Sequence, residues 1–510
     1  MEAARQAEQK GQPKYIRINR EQMLFAPLDV DRLIAADHPA RMIWEITGRL
    51  NLKAFEMTAG SFENEAGRAA WPPRLLISVL AYSYTLGTRS AREMERLMEH
   101  EPGLRWRMGL ETVNHHTLSD FRKQEVEKLK GVLTQVLALL ASEDLVDFQT
   151  LLLDGTKIEA QAGTRSMHRR KTLTEHLAEA KTCVEELDLR ATEEPARQEE
   201  PVKRTKKEAA QQRAARERLA RMEAALKELD QREAAAPASR KAQVRVSESE
   251  PDARKMKHPD GGYAPSYNVQ LVSEAKNGFI VGVTVTTANN DQNELEPSLE
   301  LAQSCTQQPV QTMVADKGYS NRENIEVMAR KGVTLVAPRL TEEERQAGAM
   351  TKAGLEMDYA AGKFQWSEDG KTMRCPAGAP LVQIKVSQHH GQTVHVYQAE
   401  AEVCGACPHK PQCCPKTEAR KIERVIESEV VQAHDERMRD PEIQALYKKR
   451  KQIAEYPNLR IKSAWRLDRF RLRGLKNVTK EAFWMALAFT LDRLHSLRKR
   501  ASLAVKLAVA

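Results

Sequence analysis

The sequence predicts a mixed α/β fold with an all-α segment in front of the sheet and two insertions in or after it. Three observations predict it. Apolar residues before about residue 145 recur at helical spacing. Short β-branched and apolar runs then come in the order strand, insertion, hairpin, helix, strand, helix, strand, which gives a mixed sheet rather than a strictly alternating one. The remaining stretches read as a paired-helix arm and a cysteine-rich segment.

In the leading segment, two prolines open "PPRLLISVLAYSYTLG", and Leu75, Val79 and Tyr82 follow at helical spacing. Gly87 breaks that helix and Ser90 is the expected N-cap of the next. A further helix is expected over 112–123 with Thr117 or Ser119 as its cap. Two short helices joined by a glycine turn fit a helix-turn-helix or a plain helical bundle equally well.

"LLLDGTKIEA" at 151–160 reads as a buried strand ending near Asp154. From 168 the pattern changes. Leu173, Leu177, Ala180, Val184 and Leu187, and again Ala215, Leu219, Met222, Leu226 and Leu229, alternate steps of 4 and 3, the seam of two antiparallel helices over 168–232. A linker runs on to about 250. "YNVQLVSE" and "GFIVGVTVTTA" form a hairpin about residues 274–278. "QTMVAD" (311–316) is the next strand, "SNRENIEVMARKG" a helix capped by Ser320 and closed by Gly332, and "VTLVAPR" a last strand. Residues 341–418 read as irregular, and from 419 the chain is helical again, with a strongly apolar helix at 482–497. The expected units are 1–145, 146–167 with 250–340, 168–249, 341–418 and 419–510.

Charge is concentrated. The chain of 510 residues carries a net +9. Between Lys448 and Arg500 stand sixteen Lys and Arg against four acids, a local +12. Such a patch is the footprint of a polyanion or, more plainly, a solvated helix face. No apolar run reaches the length of a membrane span, and the N-terminus carries no apolar signal region, so a cytosolic protein is expected. Of seven cysteines, five fall between Cys375 and Cys414, a spacing that fits metal better than disulfides. Cys375, Cys404, Cys407 and Cys413 are the candidate tetrahedral Zn²⁺ ligands, with Cys414 or His409 able to replace one of them; reduced surface thiols are the plain alternative.

Three acids stand out once the elements are placed. Asp154 and Asp316 lie where two strands end and Glu455 lies on a later helix. Were the two strands neighbours, the three carboxylates would meet, and clustered carboxylates are accommodated by hard cations such as Mg²⁺. A turn-forming or capping Asp is the plain alternative at each position.

Here the residues resemble a known family. "LLLDGTKIEAQA", "TMVADKGYSNREN" and "YKKRKQIAEYPNLRIKSAWRLDRFRLRGL" resemble the three acidic motifs of bacterial insertion-sequence DDE transposases, and "PPRLLISVLAYSYTLGTRSAREMERLMEHEPGLRWRMG" with "HHTLSDFR" resembles their helical N-terminal domain. The resemblance runs from about Tyr15 to Leu497. It implies an RNase H-like catalytic domain and Asp154, Asp316 and Glu455 as a Mg²⁺- or Mn²⁺-binding triad. It implies cleavage at terminal inverted repeats and strand transfer, with double-stranded DNA as partner, a homo-oligomer of at least two chains, and a place at the bacterial nucleoid. Tyr447, Arg450, Glu455 and Lys462 match the family's Tyr-Arg-Glu-Lys signature in order, with one extra residue between Arg450 and Glu455, so Lys451 competes with Arg450. Glu442 and Glu481 compete with Glu455 by spacing alone. Lys317, Tyr447, Arg450, Lys462, Arg466, Arg469, Arg471 and Arg473 are the expected DNA contacts, while Trp465 and Phe470 are expected in the core or stacked on a base. Recognition of the repeats is assigned to the helical segment 15–145. Alternatives are a nuclease that cuts without joining, a binding-only descendant, and a zinc-ribbon regulatory protein.

Overall fold

A computed structural model describes residues 27–56, 69–193, 206–340, 350, 355–367, 371–389 and 392–509. The first residues of the family resemblance (15–26) and the polar link at 194–205 lie outside these.

The leading helices are α1 (Pro39–Gly48), α2 (Pro73–Thr85), α3 (Ala91–Leu97), α4 (Pro102–Met108), α5 (His115–Phe121) and α6 (Val126–Ser142). Proline occupies the first position of α2, where its missing N–H costs nothing. Ser90 caps α3 as expected, its hydroxyl accepting from the Glu93 N–H. The cap of α5 is Asn114 rather than Thr117 or Ser119: its carboxamide reaches the His116 N–H at 2.8 Å, and the helix begins three residues earlier than its apolar pattern implied. The turn between α2 and α3 is pressed against the C-terminal region. Gly87 sits at φ +74°, and a Cβ there would lie 2.5 Å from the Trp465 carbonyl.

The sheet that follows has six strands. β1 (Thr150–Glu159), β5 (Tyr263–Glu274), β6 (Ile280–Thr286), β7 (Thr312–Val314) and β8 (Thr334–Val336) correspond to the expected runs. A short strand, β4 (Arg254–Lys257), was not foreseen. The order is β4-β5-β1-β7-β8, with β6 sharing the β4 edge of β5. β1 is antiparallel to β5 along its whole length and parallel to β7 only from Thr150 to Leu152. Asp154 is therefore inside β1 rather than at its end: β5 keeps the strand extended past the point where β7 stops. This layered sheet behind a helical region is the RNase H-like α/β arrangement the resemblance implied.

Between β1 and β4 the chain makes a helical hairpin, α7 (Arg170–Glu193) and α8 (Lys206–Ala235). Its root is closed by a two-stranded pair, β2 (Met167–His168) with β3 (Val246–Ser247). Leu173, Ala225, Leu229 and Val246 form a small core there. Two helices, α9 (Leu295–Thr306) and α10 (Arg322–Arg330), connect β6, β7 and β8. Asn321, not Ser320, caps α10, accepting from the Asn324 N–H at 2.8 Å. Ser320 instead donates to the Ala337 carbonyl. Gly332 follows α10 at φ +69°.

The cysteine-rich region is not irregular. It carries a five-stranded antiparallel sheet of β9 (Gln365–Trp366), β10 (Thr372–Arg374), β11 (Pro380–His389), β12 (Gln392–Ala399) and β13 (Lys421–Val425), in the order β13-β12-β11-β10-β9. The chain ends in α11 (Glu429–Arg437), α12 (Pro441–Leu459) and the long α13 (Leu475–Val509). α13 packs its apolar Trp484–Leu494 stretch with β6, α2 and α6 in the main core. α12 lies on the opposite face of the sheet. There Ala454 joins Leu152, Val314 and Val336 in a separate small cluster, edged by Ile443, Leu446 and Ile453. No described helix is long and apolar enough to cross a membrane.

Candidate active site

Strand alternation decides which way β1 aims its side chains. Leu151 and Leu153 enter the main core, and Leu152 points to the α12 face. Asp154 and Thr156 therefore share the α12 face with Leu152. The last registered pair of β1 and β7 is Leu152 with Val314. Asp154 and Asp316 each stand two residues beyond it, on neighbouring parallel strands. Asp316 has already left the ladder, and its Oδ1 accepts the Gly318 N–H at 2.7 Å, which holds the tight turn that leads the chain away.

α12 lays a polar row over these carboxylates. The guanidinium of Arg450 donates to Asp154 Oδ1 at 3.2 Å and lies 4.0 Å from Glu455 Oε1. Asn458, two turns on from Arg450, donates to Asp154 Oδ2 at 2.6 Å. Of the two candidates for the signature arginine, Arg450 contacts Asp154, while Lys451 is exposed on α12. Seven residues past Glu455, Lys462 lies in a single π-helical turn (Arg460–Ala464) and donates to Thr156 Oγ1 and the Lys157 carbonyl. Burial pulls its ammonium pKa down.

The electrostatics of Asp154 follow from this packing. Burial raises its pKa to about 6; Arg450 and Asn458 pull the other way, and the charges of Asp316 and Glu455 push it further up. The charges of Asp316 and Glu455 thus reach Asp154 through space. Carboxylate and carboxamide oxygens of this kind are hard ligands, suited to Mg²⁺ or Mn²⁺. Asn458 Oδ1 is buried without a hydrogen-bond partner and is a spare oxygen beside them. Arg450 supplies positive charge to Asp154 and lies near Glu455, while Asp316 stands just past the end of β7.

Behind β1 runs a network that no sequence motif disclosed. The buried Tyr319 hydroxyl donates to Gln270, whose amide donates to Asp291 Oδ1 at 2.8 Å; Asn268 donates to the same oxygen at 2.6 Å. Gly155 makes room for it. A Cβ there would come within 2.8 Å of the Tyr319 hydroxyl and 3.0 Å of Asp291 and Gln270. Gly155→Ala is expected to lower thermal stability by about 1–3 kcal/mol through overpacking. It should also slow DNA cleavage on the order of tenfold, because Asp154 and the Tyr319 turn next to Asp316 move together. Unfolding midpoints and cleavage rates, measured side by side, check both effects.

The expected DNA-contacting side chains divide. From Trp465 to Leu472 the chain is irregular, and buried Trp465, Leu467, Phe470 and Leu472 are interspersed with exposed Arg466, Arg469 and Arg471. Arg473 continues the exposed row. Arg469 also pairs with Glu159. Trp465 and Phe470 are core residues. Lys317 is exposed at the rim of a cleft of about 450 Å³ with Gln292, Asn321 and Arg339. Tyr447 is half-buried beside Arg450. Glu442 opens α12 far from the carboxylates, in the turn capped by Asp440. Glu481 is wholly buried and accepts the backbone N–H groups of Arg471 and Leu472.

Residues 374–495 match the Transposase DDE domain family, and residues 28–124 match the Transposase domain family DUF772. These matches indicate an insertion-sequence DDE transposase. No curated protein matches the chain. The DDE match begins in the cysteine sheet and takes in Arg450, Glu455, Lys462 and the arginine row. In that sheet, Cys375, Cys404, Cys407, Cys413 and Cys414, with His409, line one cavity of about 450 Å³. Burial pushes the Cys413 thiol up to about 12. Cys183 is exposed on the hairpin and Cys305 is buried in α9.

Proposed function

We propose that this transposase cuts DNA at the inverted-repeat ends of its insertion sequence and joins the freed 3′ ends to target DNA. Asp154, Asp316 and Glu455 would hold the divalent cations, Mg²⁺ or Mn²⁺. The observation that supports the reading is that Asp154 and Asp316 each follow the last β1–β7 pair by two residues, with Arg450 of α12 donating to Asp154 and lying 4.0 Å from Glu455. The cations would supply activation of the attacking oxygen and stabilisation of the leaving one in phosphodiester transfer.

The chain's own residues do the rest by position. β1 and α12 are regular elements packed through Leu152 and Ala454, which holds Asp154 of β1 in place under α12. Arg450 offers a guanidinium to a phosphate once cations take over its charge-balancing role at Asp154. Arg466, Arg469, Arg471 and Arg473 offer an exposed positive row, and Lys317 and Lys462 flank the carboxylates on either side. Double-stranded DNA is the proposed partner, with the helical segment 15–145 reading the repeats. At least two chains are proposed to act together, since two ends must be joined. The cysteine cavity is proposed to hold a structural Zn²⁺ through Cys375, Cys404, Cys407 and Cys413.

The test is a labelled duplex carrying the flanking repeat, incubated with wild type or Glu455→Gln in Mg²⁺ or EDTA. Mg²⁺-dependent cutting and joining by wild type are expected to fall at least about a thousandfold in the variant, with DNA binding retained. Equal cutting by both proteins would remove Glu455 from the site. Binding without cutting by wild type would make the chain a binding-only descendant.

A further inference from the structure

The root of the helical hairpin holds a cluster that the transposition chemistry does not use. His168 closes β2, His176 lies two turns into α7, and Glu248 follows β3. One ring nitrogen from each histidine and one oxygen of Glu248 lie within 4.8 Å of one another. Glu248 Oε2 is 2.7 Å from His176 Nδ1 and 3.6 Å from His168 Nε2. The two imidazoles meet edge to face, with centroids 5.1 Å apart. Each side chain is partly exposed, 22% for His168, 28% for His176 and 30% for Glu248, so one side of the cluster is open to water.

We propose that His168, His176 and Glu248 form a Zn²⁺ site that staples α7 to the β2–β3 pair at the root of the hairpin. Two imidazoles and a carboxylate are ligands that a borderline divalent ion favours, and water completes a tetrahedron. Ligand atoms on such an ion lie about 3.3 Å apart at zinc bond lengths of about 2.0 Å. The observed separations bracket that spacing, so small side-chain rotations suffice. The backbone is already set. Met167 pairs with Ser247 and His168 with Val246, and the Glu248 N–H donates to the Ser166 carbonyl at 3.0 Å. His176 is positioned by Leu173, one turn earlier in α7 and fully buried in the hairpin core.

The staple has a mechanical consequence. The chain leaving Glu248 is tied to the start of α13: Gly474 donates to Glu250 Oε1 at 3.1 Å and Leu475 to Asp252 Oδ2 at 2.7 Å. That start follows directly on Arg466–Arg473. A metal joining α7 to Glu248 therefore fixes the angle at which the hairpin leaves the sheet beside the exposed arginine row.

The experiment uses the full chain and Zn²⁺, with Co²⁺ as the spectroscopic probe. Metal content is compared between wild type, His168→Ala/His176→Ala and Glu248→Gln. Glu248→Gln keeps an oxygen acceptor for both imidazoles and guards against a variant that fails to fold. The double variant is expected to bind one equivalent less than wild type, and Glu248→Gln to bind that equivalent on the order of a hundredfold more weakly. The Co²⁺ bands lost with it should be visible d–d bands without thiolate charge transfer, which separates this site from the cysteine cavity. Zn²⁺ should slow limited proteolysis of the hairpin about tenfold in wild type and not in the variants. Equal metal content in wild type and a folded double variant, or loss only of thiolate bands, would overturn the proposal.

Discussion

Asp154→Asn is expected to abolish DNA cleavage and, in EDTA, to make the protein more stable than wild type at neutral pH. Both effects come from one fact: the fold buries Asp154 where its charge is costly without a cation. Burial has raised the carboxyl from its ordinary value of 3.8 to about 6, even against the pull of Arg450 and Asn458. For an acid whose folded pKa is raised, the stabilising form is the protonated one. Its contribution is complete below about pH 4 and is lost as pH rises through about 6. Above pH 7 the loss amounts to about 3 kcal/mol, from a shift of about two units at 1.36 kcal/mol each. Asparagine imitates the neutral acid and escapes it. The gain of the variant over wild type in urea unfolding should therefore be largest near pH 7.5 and vanish near pH 4. Saturating Mg²⁺ should reverse the order by stabilising only wild type. Cleavage should fall by at least about a thousandfold, since a neutral amide is a far weaker ligand for a hard cation. A variant less stable than wild type at pH 7.5 in EDTA would contradict this reading of the site.

The sequence singles out the three carboxylates because each sits in a short motif with its own turn chemistry. Gly318 after Asp316, and the fixed interval from Glu455 to Lys462, are one-dimensional signals. What holds them is not one-dimensional. Asp154 was placed at the end of a strand because its apolar run stops there. It lies mid-strand because β5, more than a hundred residues later, pairs across it. Asn458, Gln270 and Asp291 act through side-chain contacts between distant segments, and no spacing rule brings them together. The same holds for His168 and His176 with Glu248. The paired-helix hairpin was readable because its seam is local and periodic, although the boundaries of the expected units are not decided by that. The cysteine sheet was missed for the opposite reason. β11 is exposed at Val382, Ile384 and Val386 as well as at the polar residues between them, so no buried stripe marks it. Its backbone pairing with β12 makes it a strand. Ser320 and Asn321 are both good caps by composition, and the Ala337 carbonyl, which claims the Ser320 hydroxyl, decides between them.

Glu481→Ala is expected to cost about 3–5 kcal/mol of stability, the largest single loss outside the apolar core. Glu481 lies near the start of α13 with no solvent exposure, and burial raises its pKa, offset by Arg122, Arg89 and two backbone N–H groups. Its carboxylate accepts from the Arg471 N–H at 2.9 Å and from the Leu472 N–H at 2.8 Å. Those donors belong to the segment that presents the arginine row, and truncation orphans both in a buried place. The loss spreads further. Arg89 donates to the carbonyls of Arg466 and Arg469, and the Arg122 carbonyl receives the Trp484 indole N–H at 3.1 Å. The leading helices are thus docked on α13 and on the arginine segment around this one carboxylate. Arg89 and Arg122 would face each other across an empty cavity in the variant. Glu481→Gln is expected to cost less, about 1–2 kcal/mol, because an amide oxygen still accepts one N–H while the counter-charge is lost. A denaturant midpoint that falls in the order wild type, Gln, Ala would assign Glu481 to docking. Equal midpoints for wild type and Ala would show that the helical segment and the sheet are held together by their apolar contact alone.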